Sequence, residues 1–435
     1  MKIKNVLVFP AGTEIGLEIF HALKNCKEVN VFGAGQDVSN HARFIYAQYH
    51  VIPAIHEDGW LDALSTLCEK LGIDYIFPAY DDIVLELGLH RNRLQATVVS
   101  SPVRTCTITR SKLLTYRELD GHIRVPAVYQ RDHIPHFPVL IKPDRGQGSM
   151  GVTKVDSDSE LQLALARVPD AIICEYLPGE EYTIDCFSDR EHGLLFARAR
   201  RRQRIRNGIS VNTVSLDLPE AHSIAQTIGQ VIEFHGAWFF QLKRASNGEL
   251  TLLEVAPRIA GTMATHRAMG VNFPLLSIFE CERMPITIMT NPGRVELDRA
   301  LSNRYHHDIH FEVLYVDLDD TLLLRGQVNL DIVRLIYDCI NNSKRVVLIT
   351  RHRHDLPATL ARHRLSGLFD EIIHLTGMQR KSGYITEKNA IFIDDSFAER
   401  RDVALACGIP TFDSSMVELL TQHTGMTDAR TGSGH

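Results

Sequence analysis

Short apolar runs alternate with segments of helical spacing along the first hundred residues. Val6-Leu7-Val8-Phe9 reads as a buried strand, and residues 14–23 follow with Ile15, Leu17, Ile19, Phe20 and Leu23 apolar at helical intervals. Val29-Asn30-Val31-Phe32, Tyr75-Ile76-Phe77-Pro78 and Thr97-Val98-Val99-Ser100 read as further strands. Strands separated by helices predict a parallel sheet. The first turn, Pro10-Ala11-Gly12-Thr13-Glu14-Ile15-Gly16, lacks a complete G-x-G-x-x-G. It therefore reads as a tight strand-to-helix turn rather than a dinucleotide site. Asp81-Asp82 follow a strand end and are expected to cap the next helix.

The pattern changes after Thr107. Thr109-Arg110-Ser111-Lys112 opens a helical stretch that runs to Leu119. Phe137-Pro138-Val139-Leu140-Ile141-Lys142-Pro143 is a strand carrying one Lys, and it leads into a loop with Gly146, Gly148, Ser149 and Gly151. Closely spaced glycines let backbone N–H groups approach an anion. Taken alone, the loop fits a phosphate cradle and a plain glycine hairpin equally. Residues 172–185 give a strand, a turn with Glu180-Glu181 and a second strand, which suits a nucleotide hinge or a solvated hairpin.

Residues 197–208 carry a run of arginines. Period two puts Arg198, Arg200, Arg202, Arg204 and Arg206 on one strand face. With no interleaved aromatics in an acidic chain, an anionic substrate or triphosphate is favoured over nucleic acid. Residues 236–243 and 250–258 form a hairpin with its turn at Asn247-Gly248. Without a bulge, Gln241 and Glu254 become cross-strand partners on one face. A carboxylate on a buried strand is costly unless a metal or cation meets it. Glu254, with Arg258 just beyond, therefore points to a Mg-bound phosphate undergoing transfer.

A second constellation lies near the C-terminus. Leu314-Tyr315-Val316 delivers Asp317 and Asp319, then Thr321. Val346-Val347-Leu348-Ile349 ends in Thr350, Lys381 stands alone, and Ala390-Ile391-Phe392-Ile393 ends in Asp394-Asp395. Asp317 and Thr350 are 33 residues apart, and Thr350 and Lys381 are 31 apart. Residues 291–310 would connect the two halves, with 304–307 a candidate last strand of the first. His306, His307 and His310 are expected as surface histidines rather than metal ligands.

Composition narrows the setting. A chain of 435 residues corresponds to about three domains. A net charge of −6 gives no drive toward nucleic acid or anionic lipid. No apolar run approaches the ~20 residues of a membrane span. Eight scattered cysteines without a Cys-x-x-Cys pair, and no signal peptide, predict reduced thiols and a cytoplasmic location.

Residues 6–305 resemble the ATP-grasp ligases, in particular those related to the carbamoyl phosphate synthetase large subunit and other carboxylate–amine ligases. The resemblance rests on Lys112, Lys142, the glycine loop, the 174–177 hinge, Glu181, Gln241, Glu254 and Arg258, in that order. It implies that Lys112 and Lys142 hold ATP phosphates and that Gly146, Gly148, Ser149 and Gly151 form a lid. Glu175, Tyr176 and Leu177 would read adenine, and Glu181 would accept from ribose. Gln241 and Glu254 would bind Mg²⁺, with Mn²⁺ allowed, and Arg258 would stabilise the transferred group. One departure stands out: the family's usual Asn two residues after the Glu is Ala256 here, which offers no metal ligand.

Residues 310–415 resemble the haloacid-dehalogenase (HAD) phosphatases. The likeness implies Asp317 as nucleophile, Asp319 as general acid and base, and Thr350 and Lys381 as phosphate ligands. Asp317, Asp319, Asp394 and Asp395 would hold Mg²⁺. The fold class expected is a multidomain α/β and α+β chain. It comprises a Rossmann-like pre-ATP-grasp domain (1–106), an ATP-grasp domain (107–306, lid subdomain about 135–190), a capless HAD-like Rossmannoid domain (307–422) and a flexible tail (423–435). The expected function is a Mg-ATP ligase activating a carboxylate for an amine, fused to a phosphatase with its own phosphorylated substrate. Alternatives are a ligase with a merely structural or regulatory HAD domain and a non-turnover ATP sensor. Expected partners are small molecules, neither nucleic acid nor membrane, with a homodimer allowed.

Overall fold

A computed structural model describes residues 2–146, 148, 150–168, 170–206, 208–305 and 307–421. Ser149, His306 and the tail expected at 423–435 lie outside the described residues. The chain divides into two compact units, 1–301 and 302–435.

The first unit opens with five parallel strands in the order Tyr49–Val51, Val29–Gly35, Lys4–Phe9, Tyr75–Pro78, Thr97–Val98. Leu7 and Ile76 face one apolar cluster and Val6, Val8 and Phe77 another, so helices cover both faces. Helix Glu14–Leu23 starts at Thr13, whose side chain accepts from the Gly16 N–H at 2.9 Å and donates to the Ala79 carbonyl at 3.0 Å. A Cβ on Gly16 would lie 2.4 Å from the Ala11 carbonyl oxygen, so the turn itself requires this glycine. Helix Asp81–Leu89 has no side-chain cap at its start. The capping expected of Asp81 and Asp82 is thus replaced by ion pairs, Asp81 with Arg258 and Asp82 with Arg110.

The remaining strands of this unit form two sheets. One is antiparallel, ordered Val128–Tyr129, Ala171–Glu175, Val139–Pro143, Thr153–Val155, and packs on helix Asp158–Arg167 through Val139, Ile141, Val155 and Leu161. The other has six antiparallel strands: Leu250–Ala256, Gly236–Arg244, Glu181–Asp189, Gly193–Arg206, Ile209–Leu216, Glu296–Asp298. The last strand is therefore Glu296–Asp298, not 304–307. The helical stretch expected from Thr109 is two helices, Val103–Arg110 and Lys112–Leu119. Extended Ser111 separates them, because its side chain caps the second by accepting from the Leu114 N–H at 3.1 Å.

The second unit is built on five parallel strands ordered Glu371–His374, Arg345–Thr350, Val313–Val316, Ala390–Ile393, Thr411–Phe412. Its three central strands are almost wholly buried, with Leu314, Val316, Leu348 and Ile393 facing one cluster and Tyr315, Val347 and Phe392 the other. The strand order turns back at Val313–Val316, and a crevice at the carboxyl ends of such strands is where α/β sheets place ligands. No helix among the described residues is long and apolar enough to cross a membrane. All eight cysteines are free.

Candidate active sites

The six-stranded sheet positions the first site. Gln241 and Glu254 are cross-strand partners, as the symmetry of the hairpin predicts, but by a different route. The turn is one residue tighter than an Asn247-Gly248 centre implies: Gly248 N–H donates to the Ala245 carbonyl, and Gly248 is left-handed at φ +87. A bulge at Leu253 restores the register, since Leu242 faces Leu252 while Gln241 faces Glu254.

That bulge has a fixed partner. Tyr116 donates its hydroxyl to the Leu253 carbonyl at 2.7 Å and accepts from Lys142 Nζ at 2.6 Å. Lys142 is buried, which disfavours its charge, but Tyr116, Cys174 and Glu254 outweigh this and raise its pKa. Burial pushes the Tyr116 hydroxyl up to about 12, so it stays a donor. Lys112 donates to the carbonyls of Asp144 (3.3 Å) and Gly146 (3.1 Å). Its pKa is lowered by burial and by Lys142 and Arg110, against Glu254. Asp144 clamps the start of the helix through Ser111 Oγ and the Leu113 N–H, both within 2.9 Å.

Lys112 and Lys142 line one cavity of about 230 Å³ together with Gly146, Gly148, Glu175, Tyr176, Leu177, Glu181, Gln241 and Glu254. Every expected nucleotide residue is thus brought together except Ser149, which is not described, and Gly151, which packs on Pro143 and Val168. Two expected roles meet competition. Glu175 accepts from Arg124 Nη2 with both oxygens at 2.8 Å, so its carboxylate is already engaged and its backbone is the part left for an adenine edge. Glu181 is paired with Arg202. Glu254 has no hydrogen-bond or ion-pair partner among the described residues, although Lys112, Lys142 and Arg258 all feel its charge. An unpaired carboxylate opposite an amide oxygen suits a divalent cation; Ala256 is buried and adds no ligand.

Arg258 and Glu254 line a neighbouring recess. Arg258 is held by Asp81 through two bonds of 2.5 and 2.8 Å and lies over the Phe239 ring. Burial opposes charge on Asp81, but Arg258, then Arg110 and Lys112, hold its carboxyl below the usual range. The arginine strand does not present one cationic face. Register shifts after Arg202 break its alternation. Arg200 is buried on Asp185, which also meets His266; Arg201 pairs with Glu180, Arg202 with Glu181 and Arg204 with Asp298. Tyr116, Asp144 and Asp185 received no role in the sequence reading, and Asp81 was expected only as a helix cap. Only Tyr116, four residues after Lys112 on the same helix face, left a usable signal.

In the second unit, Asp317 and Asp394 leave adjacent strand ends, and Lys381 Nζ reaches each at 2.6 Å. Burial, then the nearby Asp394 charge, raises the Asp317 carboxyl to about 7 against the pull of Lys381. Burial also disfavours charge on Lys381, yet the two carboxylates raise its pKa. Oxygens of Asp317, Asp394 and Asp395 lie within 4.8 Å of one another, a donor set suited to Mg²⁺. Asp319, expected among the metal ligands, stands outside this group. His352 Nδ1 approaches its two oxygens at 2.9 and 3.0 Å, and His352 Nε2 meets Thr359 at 2.9 Å. Thr350 is fully buried and its hydroxyl accepts from the His352 N–H at 3.2 Å. His307 and His310 belong to no metal-capable group among the described residues.

Comparison with known proteins bears on the first unit. A family model described as "ATP-grasp in the biosynthetic pathway with Ter operon" matches residues 167–298. The arginine-specific carbamoyl phosphate synthase large chain of Bacillus subtilis is 29% identical over 301 residues, covering 63% of this chain and 28% of that one. A D-alanine–D-alanine ligase of Thermotoga maritima is 34% identical over 82 residues, covering 17% and 27%. The chain thus spans about a quarter of the length of these curated relatives. Among solved structures, the biotin carboxylase domain of the Hydrogenobacter thermophilus 2-oxoglutarate carboxylase, in complex with MgADP, ADP and bicarbonate, superposes with a TM-score of 0.56. It is 15% identical and covers 68% of this chain and 74% of that one. None of these descriptions is of a phosphatase, and the family model ends before the second unit begins. Together they give this chain an ATP-grasp fold.

Proposed function

We propose that residues 1–301 form an ATP-dependent ligase that activates a carboxylate as an acyl phosphate for attack by an amine. The observation that carries this reading is Glu254: an unpaired carboxylate opposite Gln241, facing Lys112, Lys142 and a glycine loop across one cavity. Residues 1–106 would be the leading domain, and 135–190 would supply the lid. Lys142, fixed by Tyr116, and Lys112 hold phosphate oxygens, while the backbone of 175–177 meets the base. Glu254 and Gln241 would hold Mg²⁺, which supplies charge neutralisation between the phosphates when bound. A substrate carboxylate oxygen bonds to the γ-phosphorus as the bond to ADP breaks. The amine nitrogen then attacks the acyl carbon, phosphate departs and the nitrogen loses a proton. Arg258, aimed by Asp81, stabilises the transferred group. ADP release should require a carboxylate and an amine together; ADP release that ignores both defeats the reading.

For residues 302–435 we propose a HAD-type phosphohydrolase. Support comes from the Asp317–Lys381–Asp394 network and from Asp395 beside it, at the carboxyl ends of parallel strands. Asp317 would attack phosphorus as the ester oxygen leaves with a proton from Asp319, and water would then release phosphate. Asp319 is oriented by His352. Mg-dependent hydrolysis of phosphate esters that disappears in Asp317→Asn is the expected result. Equal inactivity of both proteins across a phosphate-ester panel favours a structural or regulatory role.

A further inference from the structure

Beyond the Gln241–Glu254 pair, on the side away from the base-binding backbone, a second pocket of about 360 Å³ continues the nucleotide cavity and shares Gln241, Glu254 and Arg202 with it. Four arginines line it. Three already have carboxylate partners: Arg200 on Asp185, Arg202 on Glu181 and Arg258 on Asp81. The fourth, Arg299, has no hydrogen-bond or ion-pair partner for its guanidinium among the described residues. It is nonetheless held in place. Its backbone N–H donates to the Val211 carbonyl at 2.7 Å, and the guanidinium rests on Gly261, where a Cβ would come within 2.7 Å of NH2. Burial lowers its pKa and the nearby Arg200 charge adds to that, while Glu14 and Glu18 pull the other way without forming an ion pair. Thr183 lines the same pocket; it is wholly buried and its hydroxyl has no partner.

A fixed, unpaired guanidinium beside an unsatisfied hydroxyl fits one anionic group of a ligand, because a planar fork with an added donor matches a carboxylate. The group would be a carboxylate rather than a phosphate dianion, since the unpaired carboxylates of Glu14 and Glu254 line the same pocket and oppose more negative charge. Arg258, spoken for by Asp81, already faces the reacting end. We therefore infer that the acceptor is a dicarboxylate: one carboxylate is activated beside Glu254, and the second seats on Arg299 with Thr183. This rests on the ligase reading of the first unit.

The test is calorimetric titration of the full chain, saturated with Mg²⁺ and AMP-PNP, with succinate, glutarate and adipate against butyrate, valerate and hexanoate. Wild type should bind at least one diacid roughly tenfold more tightly than its monoacid counterpart, as a charge-assisted contact warrants. Arg299→Gln should erase that preference, Arg299→Lys should restore part of it, and neither should change AMP-PNP affinity. Equal binding of diacids and monoacids, no binding of either, or a diacid preference that survives Arg299→Gln overturns the inference while leaving the nucleotide site intact. Failure of AMP-PNP to bind wild type removes the ligase reading and this inference with it.

Discussion

Lys142 and Tyr116 form a buried pair in which the ammonium donates to the phenol oxygen at 2.6 Å, and the phenol O–H donates to the bulged Leu253 carbonyl at 2.7 Å. One side chain thus ties the lysine proposed to hold phosphate to the strand that carries Glu254. Tyr116→Phe removes an acceptor and a donor from a buried site at once. A loss of about 1–3 kcal/mol in stability is expected. The ATP KM should rise roughly tenfold as Lys142 loses its anchor. Thermal unfolding and ADP-release kinetics check both parts, and an unchanged KM would detach Lys142 from ATP.

Gly208, in the turn after strand Gly193–Arg206, sits so close to the glycine loop that a Cβ there would lie 2.0 Å from the Gly148 carbonyl carbon. Its φ of +73 is also left-handed. Gly208→Ala should therefore hold the loop away from the hairpin, exposing the acyl phosphate to water. The measurable outcome is ADP formation outrunning amide product. Tight coupling of the two in the variant would show that the contact does not govern closure.

Asp81→Asn leaves Arg258 charged and buried with half its partner's charge-assisted bonds. Breaking a buried pair on one side costs about 3–5 kcal/mol. Denaturant unfolding should show that loss, and turnover should fall more than ATP affinity, because the proposed role of Arg258 is on the transferred group. A matched fall in ATP affinity would place Arg258 in nucleotide binding instead.

Asp317 is raised from 3.8 to about 7, so its folded value lies above its unfolded one. Its contribution to stability is then fully present below about pH 4 and is lost as pH rises through 7, at most on the order of 4 kcal/mol. Without metal, the second unit should therefore open more readily at pH 8 than at pH 5, and less so in Asp317→Asn. Mg²⁺ should restore protection at pH 8 in wild type only. Hydrogen exchange is the suitable readout, because both tryptophans, Trp60 and Trp238, lie in the first unit and are blind to the second. A pH-independent exchange difference between the two proteins would contradict the shift.

Pattern-based reading succeeded wherever local pattern decides. The parallel strands around Val6 and Leu314 and the helix after Thr13 are set by apolar runs, helical spacing and turn chemistry. The hairpin and its Gln241–Glu254 pair were legible too, but the bulge at Leu253 that keeps them paired was not. It failed where partners are distant in sequence. Asp81 and Arg258 are far apart along the chain, as are Glu18 and Arg267, and nothing local marks either as a pair. The same limit made Asp81 look like a helix cap and the arginine strand look like a free cationic face. Strand alternation assumed an unbroken ladder, and the register shifts after Arg202 broke it. The HAD resemblance implies Asp319 as a metal ligand, whereas the fold turns it to His352.

In the proposed ligase site Glu254 carries most of the metal coordination, with Gln241 opposite and Ala256 contributing no ligand. Glu254→Gln keeps the side chain's volume and removes its charge, so the cavity and ATP binding should survive. ADP release with Mg²⁺, a carboxylate and an amine should fall at least a hundredfold, on the order of 3 kcal/mol of transition-state stabilisation. Wild-type turnover retained in that variant would contradict the account at its foundation.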